Sequence, residues 1–172
     1  TCASVPLFGP AGQVVGVLDA TRYCDGSPVT IMEPLAIAAR GVENRILGRL
    51  GGALTVGFHY RDDMLGTPME GLLAFNEDGM LLGANQAARQ LLASPDGLDT
   101  PLRFDDLFDC PPGTFRKGLG GRLDRVALWS SEGLRFEMRV EVARPLIPPH
   151  LRAFVPVERG YAASAKGGPA QA

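Results

Sequence analysis

Histidine and cysteine are scarce in this chain, and their spacing offers little to a metal ion. The 172 residues include two histidines, His59 and His150, and three cysteines, Cys2, Cys24 and Cys110. No two cysteines have the C-x-x-C spacing of zinc sites, and the histidines lie far apart in sequence that reads as linker. We therefore predict no metal site, and reduced thiols instead of a disulfide framework.

Long apolar runs and an excess of positive charge are also missing. No apolar run approaches the roughly 18 residues that span a membrane, and the first residues lack the charged start and apolar core of a signal peptide. The net charge is -2 and the pI about 5.7, so bulk charge does not attract nucleic acid. These absences predict a cytoplasmic protein that makes no direct contact with nucleic acid or membrane.

A convincing catalytic arrangement is the third absence. With both histidines in linker-like sequence, no Ser/His/Asp or Cys/His set can be assembled, and we predict that the chain is not an enzyme and has no catalytic residues. Cys110, which precedes two prolines, could be a redox-sensing thiol, although an incidental cysteine is the simpler interpretation. Asp105, Asp106 and Asp109 are best explained as loop and cap residues.

The front of the chain predicts a hairpin followed by a long helix. Two apolar runs within residues 2–20 flank a turn that contains Gly12, and their valines favour strands. Ser27-Pro28 is a typical helix start, and the sequence predicts a helix over residues 28–50. An apolar seam at heptad-like spacing runs along this helix: Met32, Leu35, Ala39, Val42 and Ile46.

The second half predicts an antiparallel sheet. Residues 51–66 show little periodicity and are interpreted as a linker, and residues 70–84 form a hairpin that turns at Asp78-Gly79. Asn85 caps the next helix, and two short helical turns follow at 104–108 and 115–119. Residues 124–130 and the cleanly alternating 134–142 are strands. From residue 146 to 172 the composition is that of a disordered tail, with a marginal edge strand at 151–157.

This order of elements resembles two known sensory folds. The phrase FNEDGMLLGANQAA (residues 75–88) resembles the opening strands and first helix of a PAS domain. The phrases PLFGPAGQVVGVLDATRY (residues 6–23) and AARGVENRIL (residues 38–47) resemble the last strands and closing helix of a GAF domain. Together they resemble the sensory region of bacterial sigma-54-dependent transcriptional activators of the acetoin and glycerol catabolism type.

The resemblance implies an α+β fold, a PAS-like antiparallel sheet with helices on one face, preceded by a GAF-derived hairpin and helix. It divides the chain into a GAF-like part (residues 1–50), a linker (51–66), a PAS-like domain (67–145) and a tail (146–172). The chain contains no G-x-x-x-x-G-K-[ST] loop and no helix-turn-helix after residue 144, so the ATPase and DNA-binding domains of the family are absent from it. A start directly in strand-like sequence suggests a fragment of a longer protein or a processed one.

The function implied is signal sensing and dimerisation within a transcription regulator. A stand-alone PAS protein that binds a small molecule or senses redox state is the alternative, and a small hydrolase is a weaker one. A small-molecule effector is compatible with the resemblance, and the cofactor is unknown. The pocket for such a ligand would be lined by apolar residues of the PAS interior, although a solid core would equally explain why these residues are apolar: Phe75, Leu82, Leu91, Phe108, Trp129, Phe136 and Met138.

Association is predicted through the long helix. If the front of a GAF domain is absent, the seam has no sheet to cover it, and apolar seams of this kind pair with a second helix. The sequence therefore predicts a weak homodimer through residues 31–50, with Arg40, Glu43 and Arg45 flanking the contact. The competing hypothesis is that the helix folds back on its own hairpin, where Val42 and Ile46 would meet the valines of the second strand.

Overall fold

Two antiparallel sheets and four α-helices make up the part of the chain that the structure, a computed structural model, describes. That part comprises residues 2–21, 23, 29–52, 54–92, 98, 101–121 and 123–142. The predicted α+β class with an antiparallel sheet is confirmed. The predicted tail, residues 146–172, and the marginal strand at 151–157 lie outside the described residues, as do Cys24 and His150.

The front hairpin has the predicted form. Strand β1 (Cys2–Phe8) pairs antiparallel with β2 (Val14–Thr21), and the turn between them places Gly12 at φ 82°, a conformation that favours glycine. Alternation directs one face of the hairpin inward. The other face exposes valines, with Val15 at 51% and Val17 at 58% exposed. This apolar face of the hairpin is therefore open to solvent.

Helix α1 (Val29–Leu47) covers the inner face of that hairpin. Leu35 and Ala39 are buried against Ala3 and Val5, so the helix does fold back on its own hairpin. The premise that the seam lacks a sheet to cover it is wrong, because β1 and β2 supply one. The contacts differ from those of the competing hypothesis, since the valines of β2 point away from the helix.

The large sheet contains one strand that the sequence analysis did not find. Its six strands are β3 (Leu54–His59), β4 (Gly71–Phe75), β5 (Leu81–Ala84), β6 (Phe108–Asp109), β7 (Arg125–Ser130) and β8 (Arg135–Val142), in the antiparallel order β5-β4-β3-β8-β7-β6. The interpretation of 51–66 as a linker is corrected, because β3 joins the two halves of the sheet. Leu54, Val56 and Phe58 alternate toward the core, but only over six residues.

The helices that follow Asn85 lie on one face of this sheet, as predicted, and the end of α1, which was predicted to belong to the preceding part of the chain, lies on the other face. Helices α2 (Gln86–Leu92), α3 (Phe104–Leu107) and α4 (Thr114–Leu119) contribute to the main core with Leu73 and Phe75. The end of α1 packs on the opposite face, where Leu47 contacts Leu72 and Ala74. Because side chains alternate along β4, these two sets of residues lie on opposite sides of it.

The front hairpin and the large sheet also meet at an edge strand. The backbone N–H of Ala84 donates to the carbonyl oxygen of Pro10 (3.0 Å), which lies in the turn of the front hairpin. The N–H of Leu81 donates to the carbonyl of Leu102 (2.8 Å). Two outward-facing donors of β5 are thus satisfied by segments that are not strands of the sheet.

Asn85 joins three parts of the molecule through one amide group. Its Oδ1 accepts from the N–H of Ala88 (2.8 Å), which caps α2 as predicted, and from the N–H of Leu72 (2.9 Å) in β4. Its Nδ2 donates to the carbonyl of Glu70 (2.9 Å) and to Oδ1 of Asn44 (2.7 Å) in α1. The residue is 4% exposed, so these four bonds replace the water that burial removes.

We expect Asn85→Ala to lower the free energy of unfolding by about 3 kcal/mol, because it removes a helix cap and leaves the buried N–H of Leu72 without its acceptor. Urea unfolding measures the change. Gln90→Ala, on the exposed side of the same helix, is the matched control and should change stability little. A loss below about 1 kcal/mol for Asn85→Ala would show that the network is dispensable.

We also expect amide hydrogen exchange to be faster at residues 14–18 than at 81–83. Strand β2 belongs to a sheet of only two strands and has an exposed apolar face, whereas β5 is the edge of a six-stranded sheet and two of its outer N–H groups are bonded to Pro10 and Leu102. Mass-spectrometric or NMR exchange measures both segments in one experiment. Slower exchange at 14–18 would mean that the front hairpin is not the less stable part.

Candidate functional site

The predicted ligand-lining residues are mostly part of a packed aromatic core. Phe75, Phe108, Phe136 and Met138 are each at most 1% exposed, and Leu91 is half-buried against the same cluster. Their rings contact those of neighbouring phenylalanines: the centroids of Phe58 and Phe136 are 5.0 Å apart and those of Phe75 and Phe104 5.5 Å, both edge to face. Neighbouring rings fill the interior around these residues, which favours the solid-core explanation that the sequence left open.

Leu82 and Trp129 do not belong to this interior. Leu82 is 43% exposed because the register between β4 and β5 shifts beside it, from Ala74–Gly83 to Phe75–Leu81. Trp129 is 53% exposed because its neighbours on β7, Leu128 and Ser130, face the core. The prediction that both residues line the interior is wrong.

An open groove of about 1350 Å³ lies on the opposite face of the sheet. One wall is the end of α1 with Asn44 and Arg45, and the floor includes Thr55 of β3 and Arg139 of β8. The groove has a net negative charge, because two arginines and four carboxylates line it: Arg45, Arg139, Glu70, Glu77, Asp124 and Glu141. No residue of the predicted ligand-lining set contributes to it.

A buried ion pair lies in this groove. Two of the three guanidinium nitrogens of Arg139 donate to the carboxylate of Glu70, with Nη2–Oε1 at 2.6 Å and Nε–Oε2 at 2.8 Å, and the N–H of Gly66 donates to Oε2 (2.8 Å). The Glu70 side chain is 3% exposed. Hydrogen bonding to Glu70 raises the pKa of Arg139 against the opposing effect of burial, and Glu141 contributes to the increase. The pair is bidentate, the strongest form of this contact.

Gly57 makes room for the ion pair. It is the β3 residue directly opposite Arg139, and a Cβ at this position would lie 2.6 Å from Oε2 of Glu70 and 3.0 Å from Nε of Arg139. A side chain here would therefore push the pair off the sheet. Sequence reasoning missed this set, because Glu70 and Arg139 are 69 residues apart and Gly57 lay in the supposed linker.

The other candidate groups are dispersed. His59 ends β3, its Nδ1 accepts from the N–H of Arg61 (3.1 Å), and burial followed by the charge of Arg61 lowers its pKa. Burial is also the main cause that raises the pKa of Cys110. Asp106 accepts from the N–H of Arg103 (2.7 Å) and so acts as a cap residue, as predicted for this acidic stretch. Within the described residues no group of three or more His, Cys, Asp or Glu side chains could hold a metal ion.

Comparisons with protein-family models, with curated proteins and with solved structures found no match to this chain. The geometry therefore defines the class of protein: an α+β domain whose antiparallel sheet has one face filled by an aromatic core and a charged groove on the other. Among the helices that the structure describes, none has the length and apolar character needed to cross a bilayer.

We expect Gly57→Ala to lower the free energy of unfolding by about 2 kcal/mol, because the new methyl group overlaps the Glu70–Arg139 pair. Gly41→Ala is the matched control. A Cβ at Gly41 in α1 would meet nothing within 4 Å, so this change should raise stability by up to about 1 kcal/mol through helix propensity. Chemical denaturation of both variants tests the pair of expectations, and equal stability of Gly57→Ala and wild type would contradict the first.

Proposed function

We propose that this chain is the signal-sensing and association region of a bacterial transcription regulator, of the sigma-54-dependent kind that its sequence resembles. The observation that carries the proposal is the position of α1. Its first half packs on the front hairpin through Leu35 and Ala39, and its last turns pack on the large sheet through Leu47. A rigid helix that contacts two units offers a physical route by which a change in one displaces the other.

In this proposal the large sheet is PAS-like and the front hairpin with α1 is GAF-derived. The proposed PAS-like unit then starts at Leu54, ahead of residue 67, because β3 lies between β4 and β8. Asn44 and Asn85 form one of the hydrogen bonds between the two units, and Asn85 belongs to the phrase on which the resemblance depends. The groove beside α1 supports the same function, since anything that enters it touches the helix.

The alternatives receive less support. A small-molecule effector in the aromatic interior would have to displace rings that already contact one another. A redox sensor would depend on Cys110, whose raised pKa reduces the thiolate fraction that oxidation requires. The small hydrolase has the least support, because the His59 imidazole accepts its hydrogen bond from the backbone N–H of Arg61 and not from a nucleophilic side chain.

A chimera tests the proposal. This chain replaces the sensory region of a sigma-54-dependent activator, and transcription from the target promoter is compared with that of the same activator lacking a sensory region. We expect the chain to change the output by about fivefold or more. Asn44→Ala, which removes the bond to Asn85, should reduce that effect, whereas the exposed Glu33→Gln on the same helix should not. Equal output from the chimera and the truncated activator would refute the proposal.

A further inference from the structure

One edge of the large sheet is only partly covered. Strand β6 pairs with the last two residues of β7, Trp129 and Ser130, and the first four, residues 125–128, have no strand on that side in the described part of the chain. Arg125 and Ala127 are exposed to solvent, as expected of an uncovered edge. At the opposite edge of the sheet, by contrast, neighbouring segments bond two donors of β5.

Two residues of this open stretch direct their backbone polar groups outward. The N–H of Val140 donates to the carbonyl of Asp124 (2.9 Å), so in this register the even-numbered residues of β7 bond β8. The bonding direction alternates along an antiparallel pair, so the odd-numbered Arg125 and Ala127 point their N–H and C=O groups away from β8. The edge therefore offers two donors and two acceptors.

Proline ends β6 before it reaches this stretch. Asp109 pairs with Trp129, so a longer β6 would place Pro111 opposite Ala127. A proline has no N–H to donate to a neighbouring strand. The carbonyl of Pro111 accepts instead from the N–H (3.1 Å) and the hydroxyl (2.6 Å) of Thr114. The chain therefore cannot close this edge by extending β6.

The side chains along the edge define which segment fits beside it. Ala127 is small and lies on the outer face between Trp129, which is 53% exposed, and Arg125. A strand added here finds space opposite Ala127 for one large side chain, and an aromatic ring there would contact Trp129. The Arg125 side chain is 58% exposed, and its ion pair with Asp62 is exposed as well. Such pairs are weak, so a second carboxylate can approach Arg125.

A single extended segment fits this edge better than a second copy of the chain. Each copy carries β6 on the same edge of its β7, so two β7 strands could pair over at most four residues before each β6 met the other chain. An isolated extended peptide has no such flank. All strand pairs of the sheet are antiparallel, and an added strand continues that arrangement best when it is antiparallel too.

We propose that the open edge of β7 binds an extended segment of a partner protein. The segment adds an antiparallel strand to the sheet, with an aromatic residue facing Ala127 and an acidic residue facing Arg125. Its backbone bonds the two donors and two acceptors of the edge. This inference goes beyond the proposed function and does not depend on it. For an isolated peptide, so short a contact corresponds to a dissociation constant of about 0.1 to 1 mM.

A peptide titration tests the proposal. The probe is acetyl-Thr-Phe-Val-Glu-Thr-amide, added to the full chain and followed by NMR of the backbone amides. We expect saturable shifts centred on Arg125 and Ala127. N-methylation of the peptide phenylalanine removes the donor to the carbonyl of Ala127 and should weaken binding about tenfold. N-methylation of the peptide valine, whose N–H points away from the edge, is the matched control and should change binding less than about threefold.

Two variants of the chain identify the edge. Ala127→Pro removes an outward N–H and leaves the bonds to β8 in place, so it should weaken peptide binding about tenfold. Arg125→Glu should bind the same peptide with lysine in place of glutamate more tightly than the original peptide, because the facing charges are again opposite. If Ala127→Pro disturbed the fold, the two methylated peptides would still decide, because they leave the chain unchanged.

Three outcomes would overturn the inference. The first is the absence of shifts at residues 125–127 with up to about 5 mM peptide. The second is an equal effect of the two N-methylations. The third is a wild type whose self-association Ala127→Pro abolishes, since the occupant would then be a second copy. The chimera response measures transcription and probes Asn44, so either proposal can fail while the other stands.

Discussion

The buried amide of Asn85 is the group on which the arrangement of the other elements depends. The side-chain amide of asparagine has one acceptor oxygen and two N–H donors. Here the oxygen accepts two hydrogen bonds and the nitrogen donates two, and the partners lie in separate elements. Its oxygen sets where α2 begins, and its nitrogen sets where α1 lies on the sheet. An aspartate would cap the helix equally well but could not donate to Asn44 or to the carbonyl of Glu70. The position therefore requires an amide, and helix capping alone does not explain it.

Local turn and cap chemistry was readable from the sequence because it depends on a few adjacent residues. Gly12 and Gly79 both adopt positive φ at the predicted turns, and the alternation of 134–142 gives β8. Strand β3 was missed because its alternation spans six residues and is interrupted on the other face by Gly57. The position of α1 was misjudged for another reason: a seam that fits a second helix also fits a two-stranded sheet, and spacing cannot distinguish them.

The candidate site was harder to predict than the fold, since its parts meet only through the sheet. Hydrophobicity placed Trp129 and Leu82 inside, whereas the pleat of β7 and a bulge beside β5 place them outside. The Glu70–Arg139 pair depends on a glycine that leaves space between two distant segments. Residues of this kind carry no local signature, because a missing side chain is informative only when its neighbours are known.

The contact between Pro10 and β5 has a consequence for how the chain can be divided. An exposed strand edge is a template on which another chain can add a strand, and here the carbonyl of Pro10 occupies one of the donors that such an addition needs. The turn of the front hairpin thus hinders the addition of another chain at this edge. A cut at residue 50, where composition suggests a boundary, would free this edge, so fragments that begin there should be prone to aggregate even though their own core is complete.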